Sequence, residues 1–446
     1  MQKTNLLLTL AAALLLAPTT TALAKNAWQT VADIQNDRST SVDALAKDAA
    51  GNLYAAVSAT DAEGRTHAMI RKSSDRGATW SVVEDLVVAA GCSTKFLGLA
   101  ADAAGHLYTA GYLADDEGQY RWIVRKSGVG GTTWTPVDDF ALPGSERTVA
   151  QALTVDAKGH LYVVGFGDEP LVSGQSKLRP HWLLRHSPDG GQTWSTMDDF
   201  SYQFSAKAAA ILSTPNGLFV AGSGWNGSDD AGEHWLVRKG TADGKGGFHW
   251  QTVDEFQLQK LGRGFVSQVH GLGLDAQGNL YAVGRSFASV DRGNSAHWVV
   301  RLASSAGTDW TVVDTFQLEA GSFAAASGVA SGGKDGVYVV GRATDSRAGS
   351  HWIVRHSSTG EAGSWSVSDS FTLTAATTLL QGAGQVKTTA DGSMVSLPGE
   401  FASGLAITSD SASVFAGGSV SGASNHALVR KLTVVSSTEL AATATQ

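Results

Sequence analysis

Apolar and polar residues alternate along most of this chain with a period of two, in short runs separated by clusters of Gly, Ser, Asp and Asn. Such alternation predicts β-strands with one buried face, joined by tight turns. After residue 24, no stretch shows the 3.6-residue periodicity of an amphipathic helix. The pattern therefore predicts an all-β protein.

A cassette of three segments recurs along the chain, and residues 278–316 show it in full. It reads Gly-x-Leu-Tyr-x-Val-Gly from Gly278, His-Trp-Val-Val-Arg from His297 and Trp-x-Val-Val-Asp-x-Phe from Trp310. The spacing of about 50–60 residues is typical of a radial repeat, in which four strands form one blade. The tryptophan that opens the last segment occurs seven times, at Trp28, Trp80, Trp134, Trp194, Trp250, Trp310 and Trp365.

The order of the strands predicts how the ring closes. In residues 148–200, for example, strand a is expected near 149–155, strand b at 161–165, strand c at 182–185 and strand d at 194–200. Each strand type occurs seven times, but the first d strand, at Trp28, precedes every a strand. Pairing it with the last a–b–c set closes a seven-bladed β-propeller of four-stranded antiparallel blades without a free edge.

Residues 1–24 stand outside the repeat. Lys3 precedes an apolar stretch at 6–17, and Ala22-Leu23-Ala24 provides small residues for cleavage. This is the pattern of a secretory signal peptide, with cleavage after Ala24. We therefore predict a signal peptide at 1–24, a propeller at 25–435 and a disordered tail at 436–446. The expected product is a secreted or periplasmic monomer without a membrane span.

Composition narrows the class of partner. The formal net charge is −8 and 17% of residues are charged, which argues against nucleic acid as a partner because nucleic-acid binders carry a basic surface. The single cysteine, Cys92, has no second thiol with which to form an internal disulfide. The absence of a disulfide suits a large fold with enough buried surface of its own.

The turns between strands c and d carry a second motif. Residues 73–80 read Ser-Ser-Asp-Arg-Gly-Ala-Thr-Trp, and 187–194 read Ser-Pro-Asp-Gly-Gly-Gln-Thr-Trp. Both match the Asp-box, or BNR repeat, and the mature chain resembles the sialidase-like superfamily of propellers. The resemblance implies a fold and not an activity, because the motif is a structural turn in that superfamily. The chain also lacks the Phe-Arg-Ile-Pro motif of sialidases, and it has seven units where those enzymes usually have six.

Several charged residues recur in the blades, and a residue present in every blade cannot mark a single active site. We predict that the repeated arginines and acids form cross-strand or inter-blade ion pairs. The His-Trp pairs of strand c, which begin at His181, His234, His297 and His351, are repeat positions by the same reasoning. The arginines end strand c at Arg71, Arg125, Arg185, Arg238, Arg301, Arg355 and Arg430, and the acids follow the strand-d tryptophan at Glu84, Asp138, Asp198, Asp254, Asp314 and Asp369.

Function is expected where the blades differ. Trp225 is the one tryptophan outside the repeat, in the predicted b–c loop with Asp229 and Asp230. A tryptophan beside acids is suited to stack on a sugar face, and the alternative is that its ring folds back on a neighbouring loop. The acidic b–c loops also offer ligands to Ca²⁺, although no loop has EF-hand spacing and no cofactor is expected.

Strand a should line the channel, and its opening positions differ between units. We align Asp43, Gln151 and His270, where other units have Leu97 and Ala208. After the strand-b glycine the units diverge to Tyr112, Phe166, Arg285 and Arg342. The candidate catalytic residues are His270, Asp43 and Tyr112, and the candidate ligand-binding residues are Trp225, Arg285, Arg342, Gln151, Asp229 and Asp230.

The regular scaffold with variable loops favours a module that binds glycans, or a protein partner, through the rim of b–c and d–a loops. The alternative is an enzyme acting on an acidic glycan, either a sialidase-like glycoside hydrolase or a polysaccharide lyase. An insertion at 372–404 falls in a d–a loop on the same rim. It forms either a flap over the channel or a surface decoration.

Overall fold

A computed structural model describes residues 28–36, 38–169, 179–227, 232–259, 266–287, 295–345, 349–372, 401–409, 412–421 and 425–434. Within these ranges the chain forms strands β1 to β28 and one short 3-10 helix, Gly333–Asp335. The strands group into seven four-stranded antiparallel sheets. The fold is a seven-bladed β-propeller, as the alternating pattern predicts.

Blades 1 to 6 each use four consecutive strands, called a to d in chain order. Blade 1 contains β2 (Ser39–Lys47), β3 (Leu53–Thr60), β4 (Thr66–Ser73) and β5 (Ser81–Val88). Blade 2 contains β6 (Ser93–Ala101), β7 (Leu107–Ala114), β8 (Tyr120–Ser127) and β9 (Trp134–Phe140). Blade 3 contains β10 (Thr148–Val155), β11 (Leu161–Asp168), β12 (Pro180–Ser187) and β13 (Ser195–Phe200). Blade 4 contains β14 (Ser205–Thr214), β15 (Gly217–Trp225), β16 (His234–Ala242) and β17 (Phe248–Phe256). Blade 5 contains β18 (Ser267–Leu274), β19 (Leu280–Phe287), β20 (Ala296–Ala303) and β21 (Thr311–Phe316). Blade 6 contains β22 (Ala324–Ser331), β23 (Val337–Thr344), β24 (Ser350–Ser357) and β25 (Ser366–Phe371).

Blade 7 joins the two ends of the chain. It contains β26 (Phe401–Ser409), β27 (Ser413–Ser421), β28 (Asn425–Thr433) and, as strand d, β1 (Gln29–Asn36). β1 pairs antiparallel with β28. Strand a lies innermost, because each a strand contacts the a strands of both neighbouring blades, β26 and β2 included. The N-terminal strand therefore completes the last blade, in the arrangement that the strand order predicts.

Neighbouring blades bury an apolar cluster between them. At the interface of blades 2 and 3, Trp122 and Val124 pack with Ala150 and Val163. A buried aromatic side chain removes roughly 150–250 Å² from water, so these rings dominate the packing between blades. The largest members of the clusters are the fully buried strand-c tryptophans Trp122, Trp182, Trp235, Trp298 and Trp352.

Strand a carries a β-bulge in every blade, at the point where its register against strand b shifts. The extra residue leaves the ladder and bends the strand, as bulges do. In blade 5 the unpaired residue is His270, between Val269 and Gly271. All seven bulge residues are half-buried: Asp43, Leu97, Gln151, Ala209, His270, Ser327 and Leu405. The sequence alignment of Asp43, Gln151 and His270 was correct, and in blade 4 it was off by one residue, because the bulge lies at Ala209 and not at Ala208.

The bulge explains the glycine that ends the Gly-x-Leu-Tyr-x-Val-Gly segment. Gly284 in strand b faces the residue just before the bulge. A Cβ at Gly284 would overlap the backbone carbonyl oxygen of Gln268 and approach the ring of Trp235 to 2.9 Å. Strand a therefore lies too close for any side chain at this position.

Two predicted boundaries were wrong. Strand b is longer than the pattern indicates, so Trp225 is the last residue of β15 and not part of the following loop. β26 begins at Phe401, so residues 401–404 belong to strand a of blade 7 and not to the insertion. The predicted signal peptide, the tail at 436–446, Asp229, Asp230 and most of the insertion lie outside the described residues.

Candidate functional site

Three of the residues that distinguish the blades lie near one another at one mouth of the channel, where strand a begins and strand b ends. Pairing between these strands places Arg285 opposite Gln268 in blade 5 and Arg342 opposite Ala325 in blade 6. His270 lies two residues further along strand a than Gln268. Blades 5 and 6 thus contribute three of the predicted site residues to one region, which we call the arginine site.

His270 is held against the neighbouring blade. Its Nδ1 lies 2.7 Å from the backbone carbonyl oxygen of Ala326 in blade 6. Since a carbonyl oxygen accepts, Nδ1 carries the hydrogen, which leaves Nε2 with a lone pair. Burial, and then the charges of Arg285 and Arg342, lower the pKa of His270 to about 4. The imidazole is therefore neutral at neutral pH and has Nε2 available as an acceptor or base.

A chain of polar groups orients Arg285. Its Nε and Nη2 donate to Oε1 of Gln268 at 3.1 and 2.9 Å. Nε2 of Gln268 donates to Glu233 at 2.9 Å, and Ser223 donates to the other carboxylate oxygen. Because the guanidinium is bound on one edge, its direction is fixed before any ligand arrives.

Phe323 supports both arginines. The guanidinium carbon of Arg342 lies 4.6 Å from the centre of the Phe323 ring, and that of Arg285 lies 5.6 Å from it. Cations are attracted to the face of an aromatic ring. Burial lowers the pKa of both arginines, and the positive charge of Arg285 lowers that of Arg342 further. The two guanidinium groups thus place positive charge at the channel mouth, and positive charge attracts anions.

Sequence reasoning found His270, Arg285 and Arg342 but missed their partners. Gln268 precedes His270 by two residues in the same strand, and this polar residue at the channel mouth was a signal that could have been used. Glu233 and Phe323 lie just before strands c and a of different blades. Their approach depends on loop paths that have no periodic pattern in the sequence.

Asp43 and Tyr112 lie elsewhere on the rim, in blades 1 and 2. Asp43 accepts hydrogen bonds from Ser41 and Ser58 at 2.7 and 2.5 Å, and Lys95 lies 3.6 Å from Oδ1. Tyr112 is the cross-strand neighbour of Lys95. Blades 6 and 7 separate this group from His270, so the three candidate catalytic residues do not form one constellation.

The remaining candidates are scattered around the ring. Gln151 is the bulge residue of blade 3. Trp225 in blade 4 is half-buried, and its ring centre lies 4.7 Å from that of Phe204 in an edge-to-face contact. Its indole therefore packs on a neighbouring side chain, which is the alternative that the sequence left open.

The repeated arginines form ion pairs between blades, as predicted. Arg185 in blade 3 donates to Asp138 in blade 2 from Nε and Nη2, at 2.7 and 2.8 Å. The same pairing recurs for Arg125–Glu84, Arg238–Asp198, Arg301–Asp254, Arg355–Asp314 and Arg430–Asp369. Strand β1 has Ala32 where the others have the acid, opposite Val429. Arg71 consequently has no carboxylate here, and its Nε has no hydrogen-bond partner among the described residues.

The Asp-boxes are structural turns, as expected. Asp75 accepts hydrogen bonds from the hydroxyl and backbone N–H of Thr79, and Gly77 N–H donates to Ser73. The hydrogen bonds from Thr79, and then the one from the Ser73 hydroxyl, lower the pKa of Asp75 to about 2. Trp80 donates from Nε1 to the carbonyl oxygen of Gly77 at 3.1 Å. All of these groups serve the turn itself and lie on the rim opposite the arginine site.

The described residues contain neither a cluster of metal ligands nor a membrane-spanning helix. Within the ranges that the structure describes, His, Cys, Asp and Glu side chains form no group of three or more that is placed to hold a metal ion. The loop that holds Asp229 and Asp230, whose carboxylates offer ligands to Ca²⁺ in the sequence, lies outside those ranges. No helix in the described part of the chain is both long and apolar enough to span a lipid bilayer.

Several solved structures are similar to this chain at low sequence identity. No protein-family model matches the sequence, and no curated protein matches it significantly. Among solved structures, YCF48 bound to the D1 peptide is similar at 12% identity and a TM-score of 0.48, over 93% of this chain and 99% of that one. The Hadza microbial sialidase Hz136 is similar at 13% identity and a TM-score of 0.43, over 68% of this chain and 63% of the other. A Trypanosoma rangeli sialidase in complex with the inhibitor DANA is similar at 9% identity and a TM-score of 0.45, over 88% and 55%. At these identities and TM-scores no family, activity or ligand is transferred to this chain.

Proposed function

We propose that this protein is a binding propeller for acidic glycans, whose carboxylate is received by Arg285 and Arg342 at the channel mouth. The observation that supports the proposal is the pair of half-buried guanidinium groups that both lie within about 6 Å of the centre of the Phe323 ring, at 5.6 and 4.6 Å. Arginine presents a planar fork of donors that matches a carboxylate, and the apolar ring beneath reduces competition from water.

The neighbouring groups suit the rest of a sugar. His270 offers a lone pair at Nε2, which accepts a hydrogen bond from a ligand hydroxyl. Glu233 accepts hydrogen bonds from Gln268 and Ser223, so it orients Arg285 through Gln268. Its negative charge offsets part of the positive charge of the two arginines. We also propose that the protein is exported, with cleavage after Ala24. An exported protein meets glycans outside the cytoplasm.

Calorimetric titration of the mature chain tests binding. The acidic sugars are tri-galacturonate and sialyllactose, and their neutral counterparts are maltotriose and lactose. The acidic sugars should bind more tightly, and Arg342→Met should weaken them by roughly 10–100-fold, the scale of a lost charged hydrogen bond. Arg121→Met is the matched control, because Arg121 is a half-exposed cation paired with Asp139 in blade 2. Equal loss in both variants, or no preference for acidic sugars, would refute the proposal. Poly-glutamate binding in place of the sugars would indicate a protein partner.

A second candidate function is elimination from a uronate glycan, favoured by the neutral His270 beside two arginines. In such a lyase the arginines neutralise the carboxylate, Nε2 takes the proton α to it, and the bond to the leaving oxygen breaks as a double bond forms. The leaving oxygen takes its proton from solvent. Mass spectrometry of the incubated sugars separates the outcomes, since unsaturated fragments indicate a lyase, fragments gaining water indicate a hydrolase, and intact sugars indicate a binding module. Loss of product in His270→Gln would assign the base.

A further inference from the structure

A cleft of about 300 Å³ opens at the rim where blades 7, 1 and 2 meet, away from the arginine site. This volume is at the lower end of the range for small-molecule sites, roughly 300–1,000 Å³. Most of its lining side chains are hydroxyls, and the charged one is Lys95. The lining includes Ser41, Ser58, Lys95, Ser419, Ser421 and Asn425.

Ser41 and Ser58 form the floor of the cleft, and this floor has no hydrogen-bond donor left for a ligand. Ser41 and Ser58 lie 3.0 Å apart, and each donates to a different oxygen of Asp43. Ser41, Ser58 and Asp43 make three short oxygen–oxygen contacts with one another. Each serine hydroxyl has one hydrogen, so only two of these contacts can be hydrogen bonds at the same time. When both hydrogens point to Asp43, the two serine oxygens face each other as acceptors. A donor supplied from the cleft would satisfy both of them.

The wall of the cleft adds a cation and an unsatisfied hydroxyl. Nζ of Lys95 lies 3.6 Å from Oδ1 of Asp43, and 38% of the lysine side chain is exposed. Its charge balances that of Asp43, and its remaining hydrogens are donors. Thr40 also lines the cleft and is 7% exposed, and its Oγ1 has no hydrogen-bond partner within the described ranges. A buried hydroxyl normally has such a partner.

We propose that this cleft is a second binding site, which takes one neutral sugar ring. Vicinal hydroxyls of the sugar donate to Ser41 and Ser58 and accept from Lys95. A neutral ligand is favoured because the Asp43–Lys95 pair leaves no net charge for an ion to match. The proposal does not rest on the arginine site, since the two sites share no residue and lie on different blades.

The site spans the seam where the ring closes. Ser419, Ser421 and Asn425 come from blade 7, whereas Ser41 and Ser58 come from blade 1. A sugar bound here contacts both ends of the chain. Since a ligand that binds the folded state raises its stability, occupancy should raise the melting temperature of the whole ring.

The probes are the methyl glycosides of glucose, galactose, mannose and N-acetylglucosamine, with cyclohexanol as a ring of similar size that lacks vicinal hydroxyls. Full-length protein is titrated at millimolar sugar by saturation-transfer NMR and by thermal unfolding. At least one glycoside should bind, whereas cyclohexanol should not. Lys95→Met should weaken that glycoside about tenfold, the scale of a charged hydrogen bond, and Ser58→Ala should weaken it by several-fold.

The matched control is Lys207→Met, because Lys207 occupies the same register position in blade 4 as Lys95 does in blade 2. It should leave glycoside binding unchanged, and so should Arg342→Met, which separates this site from the arginine site. Lys95 is partly exposed, so its variant is expected to fold, and circular dichroism verifies this. The proposal is overturned if no glycoside binds, or if binding is the same in Lys95→Met and Ser58→Ala as in the unaltered protein.

Discussion

Arg301 of blade 5 donates two hydrogen bonds to Asp254 of blade 4, from Nε and Nη2, both at 2.8 Å. Each residue is 7% exposed. The guanidinium also lies 4.1 Å from the centre of the Phe256 ring, at the end of the same strand as Asp254. One arginine therefore ties two blades together through a charge pair and a cation–π contact.

We predict that Asp254→Asn destabilises the propeller by about 3–5 kcal/mol, because it leaves the buried Arg301 charge without its partner. The free energy of unfolding in urea measures the effect. The matched control is Asp139→Asn, which breaks an exposed pair with Arg121 and should cost less than about 1 kcal/mol. Equal costs would show that these pairs do not hold the blades together.

The seam between blades 7 and 1 lacks this pair, and Ala32→Asp should restore it. Ala32 lies opposite Val429, as Asp138 lies opposite Val124 in blade 2. A carboxylate at position 32 should pair with Arg71, whose pKa is lowered by burial without a compensating charge. The expected gain is roughly 1–2 kcal/mol, and differential scanning calorimetry measures it.

Two further variants test the cause of that gain. Ala32→Asn has nearly the same shape as Ala32→Asp without the charge, so it should gain little. Ala32→Asp combined with Arg71→Met should gain nothing over Arg71→Met alone. If the double variant keeps the stabilisation, Arg71 is not the partner.

Gly284→Ala should destabilise blade 5 by about 1–3 kcal/mol or more, because the new Cβ meets the Gln268 carbonyl oxygen. Gly278→Ala is a suitable comparison, since Gly278 has a positive φ of 84° and open space around it. Gly278→Ala should lower the free energy of unfolding by roughly 1–2 kcal/mol, through backbone strain alone. Chemical denaturation of the two variants should rank Gly284→Ala as the more damaging, and the reverse order would contradict the close approach of strands a and b.

His270 should remain neutral well below its ordinary range, with a pKa of about 4. Since the folded pKa is lower than the unfolded one, its contribution to stability is complete above about pH 6.5 and is lost as the pH falls towards 4. Histidine ¹⁵N NMR, with the signal assigned by His270→Gln, measures the value directly. Arg342→Met removes a neighbouring positive charge and should raise the pKa of His270, whereas Lys207→Met in blade 4 should not.

Much of the scaffold follows from the sequence because each blade repeats the same physical requirements. The Trp310 cassette, the inter-blade charges and the early d strand at Trp28 predict seven blades and their order. Even the missing partner of Arg71 is visible as seven arginines against six acids. Strand ends were less predictable, because the ladder extends beyond the apolar run to Trp225.

The sites were predictable in part. Comparison between blades identified His270, Arg285 and Arg342, since these positions depart from the repeat. It did not show that blades 6 and 7 separate Asp43 in blade 1 from His270 in blade 5, because that separation depends on the closed ring. The sugar cleft was not found, since it consists of serines and threonines that are common throughout the chain and are brought together by the seam between β27 and β2.

The most direct test of the arginine site is to measure the pKa of His270 by ¹⁵N NMR in the free protein and in the protein saturated with tri-galacturonate. A carboxylate bound by Arg285 and Arg342 offsets their charge, so the pKa of His270 should rise on binding. Maltotriose should leave it unchanged. If tri-galacturonate binds while the pKa of His270 stays at about 4, the ligand is not held by these arginines and the proposed site is wrong.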